Sequence, residues 1–515
     1  MLPTELIFLC VGLGIAATAG VVYMDEKTGV MVKELFKGTN SLSGFQRTYL
    51  KVYACAMMAD WLQGPFVYAL YQSYGFSRND NALLFVAGFG SSALFGTFIG
   101  SLADKHGRQK FAVLYCVLYF VSCLTKHVNS FGMLMVGRIT GGIATSLLFS
   151  VFEAWLVSES NSRGFDGDQL GSTFSMAIFG NSIVAITAGQ VGEMAADSVP
   201  KTEIGGSVYY GGYTMPFDVA NLFLILCVYF LTTTWSENYG GGQTSSSSSE
   251  SGSMTQAMQV MMQKPQVLYC GLVCSLFEAS MFIFVFNWTP CLMEEGVPNP
   301  PFGHIFSAFM IMCMMGSRMF SYLTQFMSLE RVGLYTMGAA MVCHMIPIVS
   351  GNVVLNFFAF LGFEACVGMY FPMMGTLKGQ VVPEELRSTI YNLYRVPLNS
   401  IVVVTFVLQF DATISFVLTT LMLGVAAFSQ HRIAGLRAAG ADGEVYPYGH
   451  VKHHSPTAKG GDIELGSSAA PSAATVGKAM SQAVDEVSRL SKEVDLDVDA
   501  ALAALNEEIA PGDQI

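Results

Sequence analysis

Charge is what this sequence most lacks. Only 12% of its 515 residues are Asp, Glu, Lys or Arg, against about 25% in soluble domains. A soluble chain of this length needs far more charge to wet its surface. Arrangements that mark catalysis are missing too: there is no H-E-x-x-H, no P-loop and no G-x-S-x-G, so an enzyme is not expected. No paired extracellular cysteine framework is present, because the 11 cysteines fall almost entirely inside apolar segments. Cys270 and Cys274 lie one helical turn apart, but no His or further Cys completes a ligand set; buried packing is the expectation, with no metal and no cofactor. The net charge of −12 is concentrated in residues 440–515, which hold 13 acids against 5 basic residues. The remainder is only mildly acidic, which gives no case for a nucleic-acid partner.

What is present is apolar: 52% of the residues, in uninterrupted blocks such as Phe111–Thr125 and Leu147–Val157. Blocks of roughly 20 apolar residues are what a helix needs to cross a bilayer. The stretch Leu2–Met24 is apolar, with Glu5 at its start and Lys27, Lys33 and Lys37 after it. That charge order fits a membrane-anchoring helix with its N-terminus outside better than a cleaved signal peptide. Twelve further helices are expected, near 47–73, 81–103, 110–126, 131–157, 170–193 and 213–235, then 266–290, 303–326, 331–349, 352–379, 387–409 and 412–430. Between the two sets of six lies the low-complexity run Gly240–Ser253, which reads as a flexible linker.

The expected organisation is therefore an extra transmembrane helix and basic loop over 1–46, a six-helix bundle over 47–239 and a linker over 240–264. A second six-helix bundle over 265–430 and an acidic, mostly disordered tail over 431–515 complete it. In that tail, 473–509 has a weak helical pattern, and His450, His453 and His454 read as unliganded. With the linker in the cytosol, short cytosolic connections hold most of the Lys and Arg, including Lys51, Lys105, Arg163, Lys264, Arg331, Lys378 and Arg387. The opposite side holds only Arg78, Lys126 and Lys201. This asymmetry obeys the positive-inside rule and implies an outside N-terminus and a cytosolic tail. No retention signal is evident, so the plasma membrane is the expected location.

The charges that remain inside the helices are the candidate functional residues. Asp60 and Glu278 each lie about a dozen residues into the first helix of their six, near the bilayer midplane at roughly 18–20 Å along. Arg138 and Glu153 lie on the fourth helix, Arg318 on the eighth, Glu364 on the tenth and Arg395 on the eleventh. Ionisable groups there cost several kcal/mol unless they face a polar cavity or a partner. Structural ion pairs fastening helices together are the alternative to a transport role.

The sharpest local motif is the loop Gly100-Ser-Leu-Ala-Asp104-Lys-His-Gly107-Arg108-Gln-Lys110. It resembles the G-x-x-x-D-R/K-x-G-R-R/K signature between the second and third helices of the major facilitator superfamily. Gly107 permits a tight turn, while Asp104 and Arg108 are suited to charge-assisted bonds across the cytosolic mouth. The resemblance implies an all-α membrane protein with the major facilitator fold, two six-helix bundles, here with the extra N-terminal helix. The first, fourth, seventh and tenth helices would then line a central cavity. Arg138-Ile-Thr-Gly141-Gly142 and Pro383–Ser388 resemble weaker patterns of the same superfamily.

Longer strings are similar to one branch, the eukaryotic molybdate-anion transporter family. They include Ala59-Asp60-Trp61-Leu62-Gln63, Phe152-Glu153-Ala154-Trp155, Leu276-Phe277-Glu278, Trp288-Thr-Pro290, Gly368-Met-Tyr-Phe-Pro372 and Arg395-Val-Pro-Leu398. The resemblance implies uptake of molybdate, a tetrahedral dianion, by alternating access between the two halves. Arg138, Arg318, Arg395, Tyr394 and Asn287 are the residues suited to hold an anion, with Gln63 beside Asp60. Four buried acids oppose a dianion unless they are protonated or paired with those arginines, so a proton carried by Asp60 or Glu278 is a further expectation. Rival readings keep the fold with another small oxyanion or an organic solute as cargo, or make the chain a membrane sensor or scaffold.

Overall fold

The computed structural model describes residues 4–24, 44–96, 99–164, 167–239, 250–293, 299–383, 386–408 and 410–438. The basic loop before residue 44, the run 240–249 and the tail beyond 438, with its histidines, lie outside the described residues. Helix α1 spans Thr4–Met24. The first half comprises α2 (Gly44–Trp61), α3 (Val67–Ser73), α4 (Arg78–Gly96), α5 (Ile99–His106), α6 (Arg108–Thr125), α7 (Phe131–Ser162), α8 (Gly167–Ser198) and α9 (Met215–Thr234). A short antiparallel hairpin, β1 (Thr202–Gly205) with β2 (Val208–Tyr210), precedes α9. The second half comprises α10 (Glu250–Gln263), α11 (Pro265–Cys291), α12 (Phe302–Leu323), α13 (Leu329–Val349), α14 (Val353–Val381), α15 (Arg387–Val407) and α16 (Ala412–Ala438). Eight of these helices are long and apolar enough by themselves to cross a bilayer.

Helix packing repeats. In the first half α2 packs on α8 and α9, α4 on α7, and α6 on α7 and α9. Six spans later the same pattern returns: α11 on α15 and α16, α12 on α14, and α13 on α14 and α16. The halves meet through α8 with α12 and α4 with α15, two contacts that exchange when one half is mapped onto the other. Two matching six-span units facing each other satisfy this pattern. Helix α1 lies against α12, with the Phe8 ring 4.7 Å from that of His304.

Small residues set the closest approaches, as membrane helix packing favours. A Cβ on Gly142 of α7 would lie 2.3 Å from the Gly88 carbonyl of α4. In the second half a Cβ on Gly368 of α14 would lie 1.8 Å from the Cys313 carbonyl of α12.

The expected helix over 47–73 is two pieces. Helix α2 ends at Trp61 and a 3-10 turn, Gly64–Phe66, leads into α3. Pro65 has no N–H, and its ring crowds the carbonyl one turn back, so Gly64-Pro65 stops the first piece. Part of the expected linker is helical: Glu250–Gln263 packs against α11 and α15, because Ala257, Val260 and Met261 recur at helical spacing along it.

Candidate functional site

Asp60 sits one residue before the break in the first span, where the chain has left regular helix but has not left the bundle. Gln63 donates its side-chain amide to the Ala59 carbonyl at 2.9 Å, an acceptor that the break frees, so its role is to repair the break. Asp60 accepts a hydrogen bond from the hydroxyl of Tyr119 on α6. Glu278, midway along α11, is held in the same manner: Tyr370 of α14 donates to its Oε1 at 2.9 Å, and the Cys274 thiol lies 3.1 Å from the same oxygen. Each half thus carries, partway along its first span, one carboxyl group tied to a tyrosine from another helix. Among the described residues, no Lys, Arg or His forms an ion pair with Asp60, Glu278, Glu153 or Glu364.

The other candidates fall into distinct settings. Glu153 of α7 is exposed and shares the electrostatic neighbourhood of Tyr53, which also senses Asp60. Arg395 is exposed near the middle of α15, where contact with acyl chains is costly and a watery passage is not. Arg138 donates Nε to the Leu84 carbonyl at 3.1 Å and stacks its guanidinium 4.3 Å from the Phe85 ring. Glu364 is buried beside Cys313 of α12, in the α12–α14 contact. Arg318 lies 5.9 Å from the ring of Phe179 in the opposite half. Tyr394 is a clamp: it is 2% exposed, donates to the Val267 carbonyl at 2.6 Å, and packs on Gly271, where a Cβ would clash.

Asn287 belongs to a contact between the halves that the sequence does not reveal. It lies toward the end of the bundle away from the linker, here termed the far face. Arg78, the first residue of α4, donates to Asn287 Oδ1 at 2.5 Å and to the Phe410 carbonyl at 3.1 Å, both in the other half. Its guanidinium stands 5.3 Å over the Phe286 ring. Phe85 and Phe89 of α4 meet Phe286 and Phe282 of α11, each pair with centroids 5.1 Å apart. Further along, Ser307 donates to the Ile186 carbonyl at 2.8 Å. Among the described residues, every hydrogen bond between the halves lies toward this far face. By hydropathy Arg78 falls in a loop, so the sequence carries no mark of its contacts.

On the linker face the signature loop forms a tight corner. Gly107 adopts φ +113°, and a Cβ there would lie 2.5 Å from the Glu237 carboxyl carbon. Asp104 pairs with Arg108 at 2.7 Å, and the Arg108 backbone N–H donates to the Asn238 carbonyl at 3.0 Å. Glu237 in turn accepts from the Gln109 backbone N–H at 2.8 Å. These bonds tie the corner to the segment after α9 within the first half; among the described residues neither Asp104 nor Arg108 bonds to the other half. Lys110 is exposed, and Gly100 has open space beside it.

A family model described as sugar transporters with 12 TM matches residues 7–368. The molybdate-anion transporter of Takifugu rubripes is 32% identical over 423 residues, covering 77% of this chain and 84% of its own. That of Xenopus laevis is 33% identical over 411 residues, covering 78% and 86%. The chain belongs to the molybdate-anion transporter family. The nucleoside transporter NupG superposes with a TM-score of 0.59 at 11% identity, covering 76% of this chain and 99% of that one. A D-xylose-proton symporter does so at 0.58 and 12%, covering 76% and 97%. At those identities the likeness establishes the major facilitator fold. Family members are transporters, not enzymes. Tyr119 and Tyr370 went unnoticed in the sequence because a tyrosine among many in apolar helices carries no mark of its partner.

Proposed function

We propose that this protein carries molybdate into the cytosol by alternating access, with a proton moving alongside the anion. The observation that carries this reading is the pair of first-span acids, each held by a tyrosine hydroxyl and by no cation among the described residues. Both are half-buried, and a carboxylate within a helical bundle without a counter-charge is costly; the same group with a proton is less so, and a neutral group does not repel a dianion. Asp60 or Glu278 is then the proton carrier, while Arg138 and Arg395 supply the donors for oxyanion oxygens. The cargo is supported by the relatives' identity as molybdate-anion transporters.

In this reading the linker and tail are cytosolic and the plasma membrane is the site of action. Helix α1 is an additional span, and the described conformation is closed to the outside. Arg78 and the aromatic contacts part when the halves rock, and the corner at Gly107 then meets the opposite half. No covalent step is needed; the bound ion has only to favour the switching states over the resting one.

The test is uptake of isotopic molybdate across a pH series in the parent, Asp60→Asn and Glu278→Gln, with excess sulfate as competitor. The expected result is loss of pH dependence in at least one variant and weak competition by sulfate. Parent-like pH dependence in both variants refutes the proton assignment; full competition by sulfate reassigns the cargo to oxyanions in general.

A further inference from the structure

Glu193 was not among the residues that hydropathy or motif singled out, and it is the only carboxylate among the described residues that bonds across the two halves. It lies near the far end of α8, 9% exposed. Its Oε2 accepts the backbone N–H of Gly303 at 2.6 Å. Gly303 is the second residue of α12, so the acceptor meets an N–H that has no partner within its own helix. The macrodipole of a 22-residue helix adds attraction for negative charge at that end.

The surroundings keep this contact short. Gly189 and Gly303 abut with no side chain between them: a Cβ on either would lie 2.2–2.4 Å from the other's carbonyl oxygen. One helical turn further along α12, Ser307 bonds to α8 as well. The groups near Glu193 are Asp197 on its own helix and Tyr213 from the turn before α9; His304 of α12, whose ring meets Phe8 of α1, faces Asp197. The Phe66 ring packs beside Gly192. No cation pairs with Glu193 among the described residues, so the helix end is its one strong partner there.

We propose that Glu193 is the latch of the far gate: by capping α12 across the boundary between the halves it holds the far face shut, and it must let go for that face to open. The proposal rests on the alternating-access reading but not on the identity of the cargo. A carboxylate on an N–H makes a stronger bond than a neutral acceptor, yet unlike a hydrophobic seam it is readily replaced by water once the helices separate.

The experiment uses the full chain in lipid nanodiscs, where both faces meet solvent and transport is not required. Ala82 is 2% exposed in the far gate beside Arg78. The labelling rate of Ala82→Cys by a water-soluble maleimide reports opening, and the chain lacking that substitution measures the native thiols. Glu193→Ala is expected to raise labelling at position 82 at least tenfold. Glu193→Gln, which keeps a carbonyl acceptor but no charge and is the variant closest to the parent in shape, is expected to raise it about threefold, consistent with charged hydrogen bonds being roughly twice as strong as neutral ones. Rates within twofold of the parent in Glu193→Gln and Glu193→Ala overturn the latch. A parallel rise in labelling of the native thiols, which signals general loosening, also overturns it.

Discussion

Replacing Arg78 with alanine removes two hydrogen bonds and one ring contact between the halves at a stroke. Hydrogen bonds from a charged donor contribute roughly 1.5–3 kcal/mol each, and a cation over a ring contributes about 0.5–2 kcal/mol. Arg78 is half-exposed, so water and salt weaken these contacts. Asn287, at 1% exposure, would meanwhile lose the donor to its Oδ1, a cost that only an entering water relieves. A net loss of about 2 kcal/mol for the closed far face is a conservative figure from those terms. A far-open fraction of about 1 in 100 would then rise to about one in four. Spin labels at exposed Gln72 and Thr413, one on each half, read this directly as a second, longer distance in pulsed electron resonance. Asn287→Ala should produce part of the shift, and the double substitution little more than Arg78→Ala alone, since the two residues share one bond. A single unchanged distance distribution in Arg78→Ala, with the protein folded, refutes the gate.

Two further outcomes follow from the packing and the loops. Gly142→Ala forces a methyl group to within 2.1 Å of Ser91 Oγ and 2.3 Å of the Gly88 carbonyl, an overpacking cost of roughly 1–3 kcal/mol. Its melting temperature should fall, whereas Gly90→Ala, with open space beside it, should melt like the parent; equal melting of both sinks the account of the α4–α7 contact. On the far face, His127 bonds through Nε2 to Asp218 at 2.9 Å and through Nδ1 to the Tyr209 carbonyl at 3.0 Å, pinning the β1–β2 hairpin. The bond to Asp218 raises the His127 pKa above its usual range against the opposing effect of burial. A raised folded-state pKa stabilises fully below the unfolded value of about 6.5 and is lost as pH climbs through the folded one. The melting-temperature gap between the parent and His127→Gln should therefore be larger at pH 6 than at pH 9; a gap that widens with pH reverses the assignment.

The class of protein was legible in composition because a bilayer demands long apolar helices and tolerates few charges. The signature corner at Gly107 was legible for a related reason: a left-handed turn flanked by an acid and a base leaves a fixed pattern along the chain. Where most of the helices lie followed from hydropathy, though the helix at Glu250–Gln263 did not, since its apolar stripe is short and sits beside a serine run. Asp60 was expected within one long helix, whereas Gly64-Pro65 makes two and leaves the acid at the end of the first.

What the sequence alone determined was which side chains the membrane would make expensive: Asp60, Arg138, Glu153, Glu278, Arg318, Glu364 and Arg395. It could not say how each is accommodated, because the partners come from helices far away in the chain. Tertiary structure assigned tyrosines to Asp60 and Glu278, put Glu364 in a helix contact, turned Tyr394 into a clamp and drew Arg78 and Glu193 into the boundary between halves. Hydrophobicity is a property of each segment and can be read locally. Pairing is a property of the packed bundle, and it is fixed only when two helices meet.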